Sequence, residues 1–218
     1  GIGEPTVRLA TLQAMKILGG QFVLGRDIGS ALKRAGRNGT LCSFDMLGEG
    51  ARTQKDADRY FDNYLAAIET VGDTSTASHL FDGHNVSIKL SALHPRFWES
   101  HRETCLPALK KKVLALAMKA RRFNIGMSLD AEECARLELT MDVFEWLCEL
   151  PELEDWQGLG FVLQAYQKRA LEVAEWLIAL AQSRPTGIMV RLVKGAYWDA
   201  EIKICLLYTS PSPRDCLL

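Results

Sequence analysis

Asp45, Lys89, Asp130, Gln164 and Arg191 are the residues of this chain whose types could do chemistry together. Each falls at the end of a short apolar run: LCSFDM, VSIKL, GMSLD, FVLQAY and IMVRLV. Two carboxylates, an amine, an amide and a guanidinium suit a polar pocket, and by type alone several chemistries stay open. Lys89 could act as a Schiff-base nucleophile if desolvation lowered its pKa, as in barrel aldolases. Asp45 with Asp130 could be an acid/base pair or could hold a cation. Arg191 with Lys194 suits an anionic ligand or an electron-rich ring, because a guanidinium offers a planar fork of donors. The competing reading is an internal ion-pair network that fills the pocket mouth. Such a network is expensive unless a ligand or mutual pairing compensates it.

The five runs must be strands for these groups to meet. Side chains alternate along a strand, so one face of the first run carries Cys42, Phe44 and Met46 and the other carries Ser43 and Asp45. The same split gives Val86, Ile88 and Leu90 against Ser87 and Lys89, then Met127 and Leu129 against Ser128 and Asp130. Phe161, Leu163 and Ala165 oppose Val162, Gln164 and Tyr166, while Ile188, Val190 and Leu192 oppose Met189, Arg191 and Val193. One face is apolar in every run. The other ends on a polar group at the carboxyl end, where parallel α/β proteins, barrels above all, keep their active sites.

Helical segments separate the strands. Thr53 is placed to cap a helix reaching about Val71, with Asp56 completing a capping box and Phe61, Tyr64, Leu65 and Ile68 as its apolar stripe. Further helices are expected over 106–123, 132–150 and 167–182, the last packing through Leu171, Ala174, Leu177, Ile178 and Ala181. Strict alternation predicts a parallel sheet with right-handed crossovers. The fold class is therefore α/β, a TIM-like (β/α)8 barrel of which about five βα units are present. A complete barrel has eight units in roughly 250 residues, so about 100 residues of barrel are expected beyond these. Ahead of the first strand, residues 1–37 read as a helical arm: one helix from Pro5 stopping at Gly19-Gly20, and a second beginning after Asp27. The barrel portion is expected over 38–203. Residues 204–218, ICLLYTSPSPRDCLL, carry Pro211 and Pro213 and lead to no sixth strand, so they read as a non-native or disordered tail. The opening at Gly1 in mid-pattern points to preceding sequence.

Composition narrows the function classes. The chain has 218 residues, 48% of them hydrophobic, and a formal net charge of -1, enough for a substantial core but without the basic stripe of a nucleic-acid footprint. No apolar run approaches the roughly 20 residues of a membrane span, and no signal peptide is visible, so the segment reads as cytoplasmic. Six cysteines without a C-x-x-C pair and four histidines without ligand spacing read as reduced packing thiols and no metal site.

The segments SFDMLGEGA (43–51), SIKLSALHPRF (87–97), LDAEE (129–133), GFVLQAYQKRA (160–170) and VRLVKGAYWDAEIK (190–203) resemble the consecutive barrel motifs of the proline dehydrogenase module of the bifunctional bacterial proline utilization flavoproteins. EPTVRLATLQAMKILGGQFVLG (4–25) resembles the helical arm region before that module. The resemblance implies FAD-dependent oxidation of L-proline to Δ1-pyrroline-5-carboxylate, the first step of proline catabolism to glutamate, with noncovalent FAD across the carboxyl-end rim. It implies Arg191 beside flavin N5, Gln164 at the pyrimidine edge, and Val193, Lys194, Gly195, Ala196 and Trp198 bordering the cofactor. Gly195 also has a physical reason, since a residue without Cβ lets backbone approach a flat ring. Lys89 and Asp130 would line the proline site, Tyr197 would form part of its wall, and Glu49 would pair with a substrate-binding arginine from a final helix to close it.

The resemblance further implies a parent with an aldehyde dehydrogenase module, quinone as electron acceptor at the inner membrane face, homo-oligomerisation and, in some members, a separate DNA-binding segment. The chain by itself is expected to be inactive or nearly so, because the arginine pair that grips the proline carboxylate in the family is not found in it. Two other classes remain at this level: a noncatalytic partial-barrel binding module, and another barrel enzyme such as a Schiff-base aldolase.

Overall fold

A computed structural model describes residues 3–47, 50–201 and 203. The expected gate residue Glu49 and the expected tail 204–218 lie outside the described residues. The chain divides into two compact units, Gly1–Cys42 and Ser43–Leu218.

The first unit holds helices α1 (Gly3–Phe22) and α2 (Ile28–Asn38). Helix α1 does not stop at Gly19-Gly20 as the sequence predicts. A glycine in a helix interior costs only about 1 kcal/mol, and Val23 N–H still bonds the Gly19 carbonyl at 2.7 Å. Helix α2 begins as expected, with Asp27 accepting from Ser30 N–H in a reciprocal capping box.

The second unit is built on five parallel strands in sequential order: β1 (Ser43–Asp45), β2 (Asn85–Ile88), β3 (Gly126–Leu129), β4 (Leu159–Gln164) and β5 (Met189–Val193). The crossovers carry α3 (Gln54–Thr74), α4 (Arg102–Arg122), α5 (Leu137–Cys148) and α6 (Ala170–Gln182). The α3 start is the capping box read from Thr53 and Asp56. Helix α4 begins four residues earlier than expected and carries Pro107 inside. Helix α5 begins five residues later than expected, because Glu132 is drawn away to the rim and a tight turn at Cys134–Arg136 intervenes. Among the described residues no helix is long and apolar enough to cross a membrane.

The register carries the alternation argument across the sheet. Asp45 pairs with Ser87, Ser87 with Ser128, Ser128 with Gly160, Gly160 with Met189 and Val162 with Arg191. The strand residues assigned to the polar face therefore lie in one continuous surface. Arg191 on β5 donates to Ser43 Oγ on β1 at 2.7 Å and to Ser87 Oγ on β2 at 3.0 Å. A side chain joins the two outermost strands only if the sheet curls into part of a barrel with this face inward. Toward the amino end, a Cβ on Gly126 would lie 2.6 Å from Met189 Cε, so the Met189 side chain occupies the inner face there.

The outer face forms the core with the helices. Val86, Ile88, Met127, Leu129 and Phe161 are buried against Tyr64, Ile68, Leu109, Val113, Leu116, Val143 and Phe144. Phe144, Phe161 and Trp176 meet in edge-on contacts, with Phe144 and Trp176 ring centroids 5.1 and 5.7 Å from Phe161. On β5 the expectation fails: Val190 and Leu192 are 49% and 67% exposed, and so are Leu171 and Ile178 of α6, at 71% and 59%. Helix α6 buries Val173, Leu177 and Leu180 instead, and the outer side of the β5 edge is left largely uncovered.

Tyr64 links core to rim. It is fully buried on α3, and its hydroxyl accepts the Lys89 backbone N–H at 3.1 Å. Replacing Tyr64 by Phe should lower stability by about 1–2 kcal/mol, the price of a buried donor losing its acceptor, as read from urea denaturation midpoints. An unchanged midpoint would show that the Lys89 N–H has another acceptor.

Candidate active site

Lys89 and Asp130 sit one residue beyond β2 and β3, where the chain leaves the sheet but keeps the inward parity. Lys89 Nζ lies 2.5 Å from Asp45 Oδ2 and 2.8 Å from Asp130 Oδ2. The other Asp130 oxygen accepts from Arg191 Nη2 at 2.7 Å. Asp130 is thus shared between an ammonium and a guanidinium, with its side chain only 13% exposed. Burial disfavours charge on Lys89, yet the hydrogen bonds and charges of Asp130 and Asp45 outweigh it and hold its pKa far above that of a free lysine.

Paired with two carboxylates, Lys89 is held as an ammonium, whereas the aldolase reading needs a neutral amine. The raised pKa also fixes a sign. A lysine pKa raised in the folded state adds stability that is fully present below its unfolded value and is lost as pH rises through the folded one. Lys89→Met should therefore flatten the alkaline fall in stability. Borohydride with pyruvate should leave Lys89 unmodified at neutral pH; a trapped adduct on Lys89 by mass spectrometry would contradict the assignment.

Gln164 ends β4 at 3% exposure. Its Nε2 donates to the Glu132 carbonyl at 2.9 Å, and its Oε1 accepts the Ala196 N–H at 3.1 Å. The β4–β5 ladder continues past both strands, with Ala165 N–H bonding Val193 O and Tyr166 N–H bonding Lys194 O at 2.8 and 3.1 Å. This carries the segment from Val193 to Trp198 over the rim in a fixed path. Lys194, Ala196 and Trp198 are exposed there, and Val193, Gly195 and Tyr197 are half-buried. Tyr197 borders a cavity of about 360 Å³ with Lys89, Ser91, Trp98, Glu132 and Arg136. Burial, then the charges of Glu132 and Glu133, push its phenol up to about 12.

Gly195 has a reason within the chain itself to lack a Cβ. Its φ of 120° lies in a region that side chains disfavour, and a Cβ there would overlap the Tyr166 ring. The Tyr166 hydroxyl bonds Glu201, which also accepts the Cys134 N–H at 2.6 Å.

Several rim residues escaped the sequence reading. Ser43 and Ser87 were assigned the right face but no task, and they bind Arg191. Glu132 reads as a helix start; it is a buried carboxylate whose side chain is 2% exposed, paired with Arg136 at 2.7 Å.

A family model described as Proline dehydrogenase matches residues 29–213. The chain belongs to the proline dehydrogenase family. It is 45% identical over 204 residues to the Bifunctional protein PutA of Salmonella typhimurium, covering 92% of this chain and 16% of that protein. It is 30% identical over 183 residues to Proline dehydrogenase 1 of Bacillus subtilis subsp. natto, covering 83% of this chain and 53% of that one. A solved structure of Bradyrhizobium japonicum PutA superposes with a TM-score of 0.81 at 49% identity, over 93% of this chain and 21% of that one. The chain spans about a sixth of the length of the bifunctional relatives it matches. The curled five-stranded sheet is accordingly part of a (β/α)8 barrel in a flavoenzyme family.

Replacing Gly195 by Ala should displace the rim segment, because the new methyl meets the Tyr166 ring in a backbone region already strained for alanine. The expected loss is about 1–3 kcal/mol in thermal unfolding, partly restored by Tyr166→Ala in the same chain. Strict additivity of the two substitutions would deny the contact.

Proposed function

We propose that this chain supplies the proline- and flavin-binding half of an FAD-dependent proline dehydrogenase, which oxidises L-proline to Δ1-pyrroline-5-carboxylate. The observation that carries the reading is the convergence of Lys89, Asp130, Gln164 and Arg191 at one mouth, in a chain of the proline dehydrogenase family.

The mouth fits a planar heterocycle. Arg191 and the buried Gln164 amide provide polar groups of fixed orientation, and the strip from Val193 to Trp198 provides an accessible edge beside them. When bound, FAD supplies the two-electron acceptor for the hydride leaving proline C5. Arg191 supplies a positive charge whose position is set in advance by Asp130, Ser43 and Ser87. A preorganised cation stabilises negative charge developing nearby without rearranging during the reaction. Lys89 keeps its proton on Nζ and attracts the proline carboxylate, while Asp45 and Asp130 hold the ammonium in place. Tyr197 keeps its proton on Oη at neutral pH and walls the site as a hydrogen-bond donor. Asp130 therefore orients both cations, and Gln164 and Ala196 brace the rim between them. Glu49 closing the pocket through an arginine belongs to the same reading, as do quinone as the acceptor at a membrane face and oligomerisation in the longer protein.

The test is anaerobic titration of the purified 218-residue chain with FAD and then L-proline. Quenching of flavin fluorescence on binding, followed by slow bleaching of its visible absorbance with proline, is the expected result. Arg191→Met should slow bleaching by about 100-fold or more, the usual scale for losing one preorganised charge. A folded chain that binds no flavin would overturn the proposal in favour of a noncatalytic module.

A further inference from the structure

We infer that Glu132 is a positioning residue that ties the carboxyl ends of all five strands together and fixes which end of the Gln164 amide faces the mouth; its bearing on the ligand rests on the flavin-dependent reading above. Glu132 Oε1 accepts the Ser91 N–H at 2.9 Å from the loop after β2. The Ser91 carbonyl accepts the Ala51 N–H, also at 2.9 Å, from the loop after β1. Glu132 itself belongs to the loop after β3, and its own carbonyl accepts Gln164 Nε2 at the end of β4. Gln164 Oε1 then accepts the Ala196 N–H in the loop after β5. One series of hydrogen bonds links four loops and the end of β4, and Glu132 stands at its centre.

The side chain is held from two sides. Ser91 pins one oxygen, and Arg136 Nη1 pins the other at 2.7 Å. Arg136 is itself braced by the Trp98 ring, its guanidinium carbon 4.5 Å from the ring centroid. A residue anchored in this way cannot swing its carbonyl, and that carbonyl decides the Gln164 orientation. The Glu132 carbonyl can only accept and the Ala196 N–H can only donate, so a flipped amide would oppose oxygen to oxygen and N–H to N–H. With one Nε2 hydrogen and one Oε1 lone pair used internally, the amide still has a donor and an acceptor side by side. Those remaining sites complement a ring edge that alternates carbonyl and N–H.

Hydrogen–deuterium exchange on the purified chain separates this role from local support. Glu132→Ala should speed exchange at Ser91 and also at Ala196, far along the chain, by about tenfold each, with the amides of the α4 core unchanged. Glu132→Gln keeps an acceptor for Ser91 but loses the charge facing Arg136, and should raise both rates by a smaller factor. In parallel, FAD affinity should fall about tenfold in Glu132→Ala and be largely rescued in Glu132→Gln. Acceleration confined to Ser91, with Ala196 unchanged in either variant, would overturn the inference. If the wild-type chain binds no FAD, the functional reading fails, and the exchange rates still decide the role of Glu132. If Glu132→Ala does not fold, the Ser91 and Ala196 rates in Glu132→Gln decide it.

Discussion

Asp130 lies between two cations, 2.8 Å from the Lys89 ammonium and 2.7 Å from the Arg191 guanidinium. Removing a charge of this kind from water is costly, and the cost is offset only when both oxygens find charged partners in good geometry. That requirement couples distant parts of the chain. Lys89 follows β2, Asp130 follows β3 and Arg191 lies on β5, so the bridge forms only when the sheet has its register and its curl. The arrangement also divides labour between the partners. Asp45 assists in holding Lys89, and the serine hydroxyls of β1 and β2 steer Arg191, so both positive groups are presented toward the mouth in fixed positions. The scaffold has met the desolvation cost of the site before any ligand arrives.

Much of this was legible because strand alternation has a period of two and tolerates error at strand ends. Four of the five observed strands are shorter than the apolar runs, and Lys89 and Asp130 fall just outside theirs, yet parity alone assigned both to the inner face. The helix start at Thr53 was legible for a similar reason: a capping box is a local arrangement that its own residues specify. Other features depended on partners far along the chain. Nothing near Glu132 reveals that its carboxylate meets Ser91, so it passed for the first turn of a helix. The need for glycine at position 195 was visible, but the ring against it, Tyr166, could be identified only from the fold. The outer face of β5 looked like core because Val190 and Leu192 alternate like the other strands, and composition does not say what packs against them.

The family relationship and the geometry support each other from different directions. Similarity over 92% of the chain to a bifunctional PutA places the fold and the family, while the hydrogen bonds explain why residues of those types stand at those positions. The inner face is layered: Met189 beside Gly126 toward the amino end, a band of serine hydroxyls in the middle, and ionic groups at the carboxyl end. The middle band allows a guanidinium rooted on one strand to be steered by hydroxyls from two others. Such a gradient from apolar floor to charged rim suits a ligand with a flat body and polar edges.

The most direct test is a structure of the chain crystallised with FAD. The account predicts the flavin ring across the carboxyl-end mouth, within hydrogen-bond reach of Arg191 and Gln164, with the Lys89–Asp130–Arg191 bridge intact beneath it. Flavin bound on another surface, or a bridge broken by its arrival, would contradict the account.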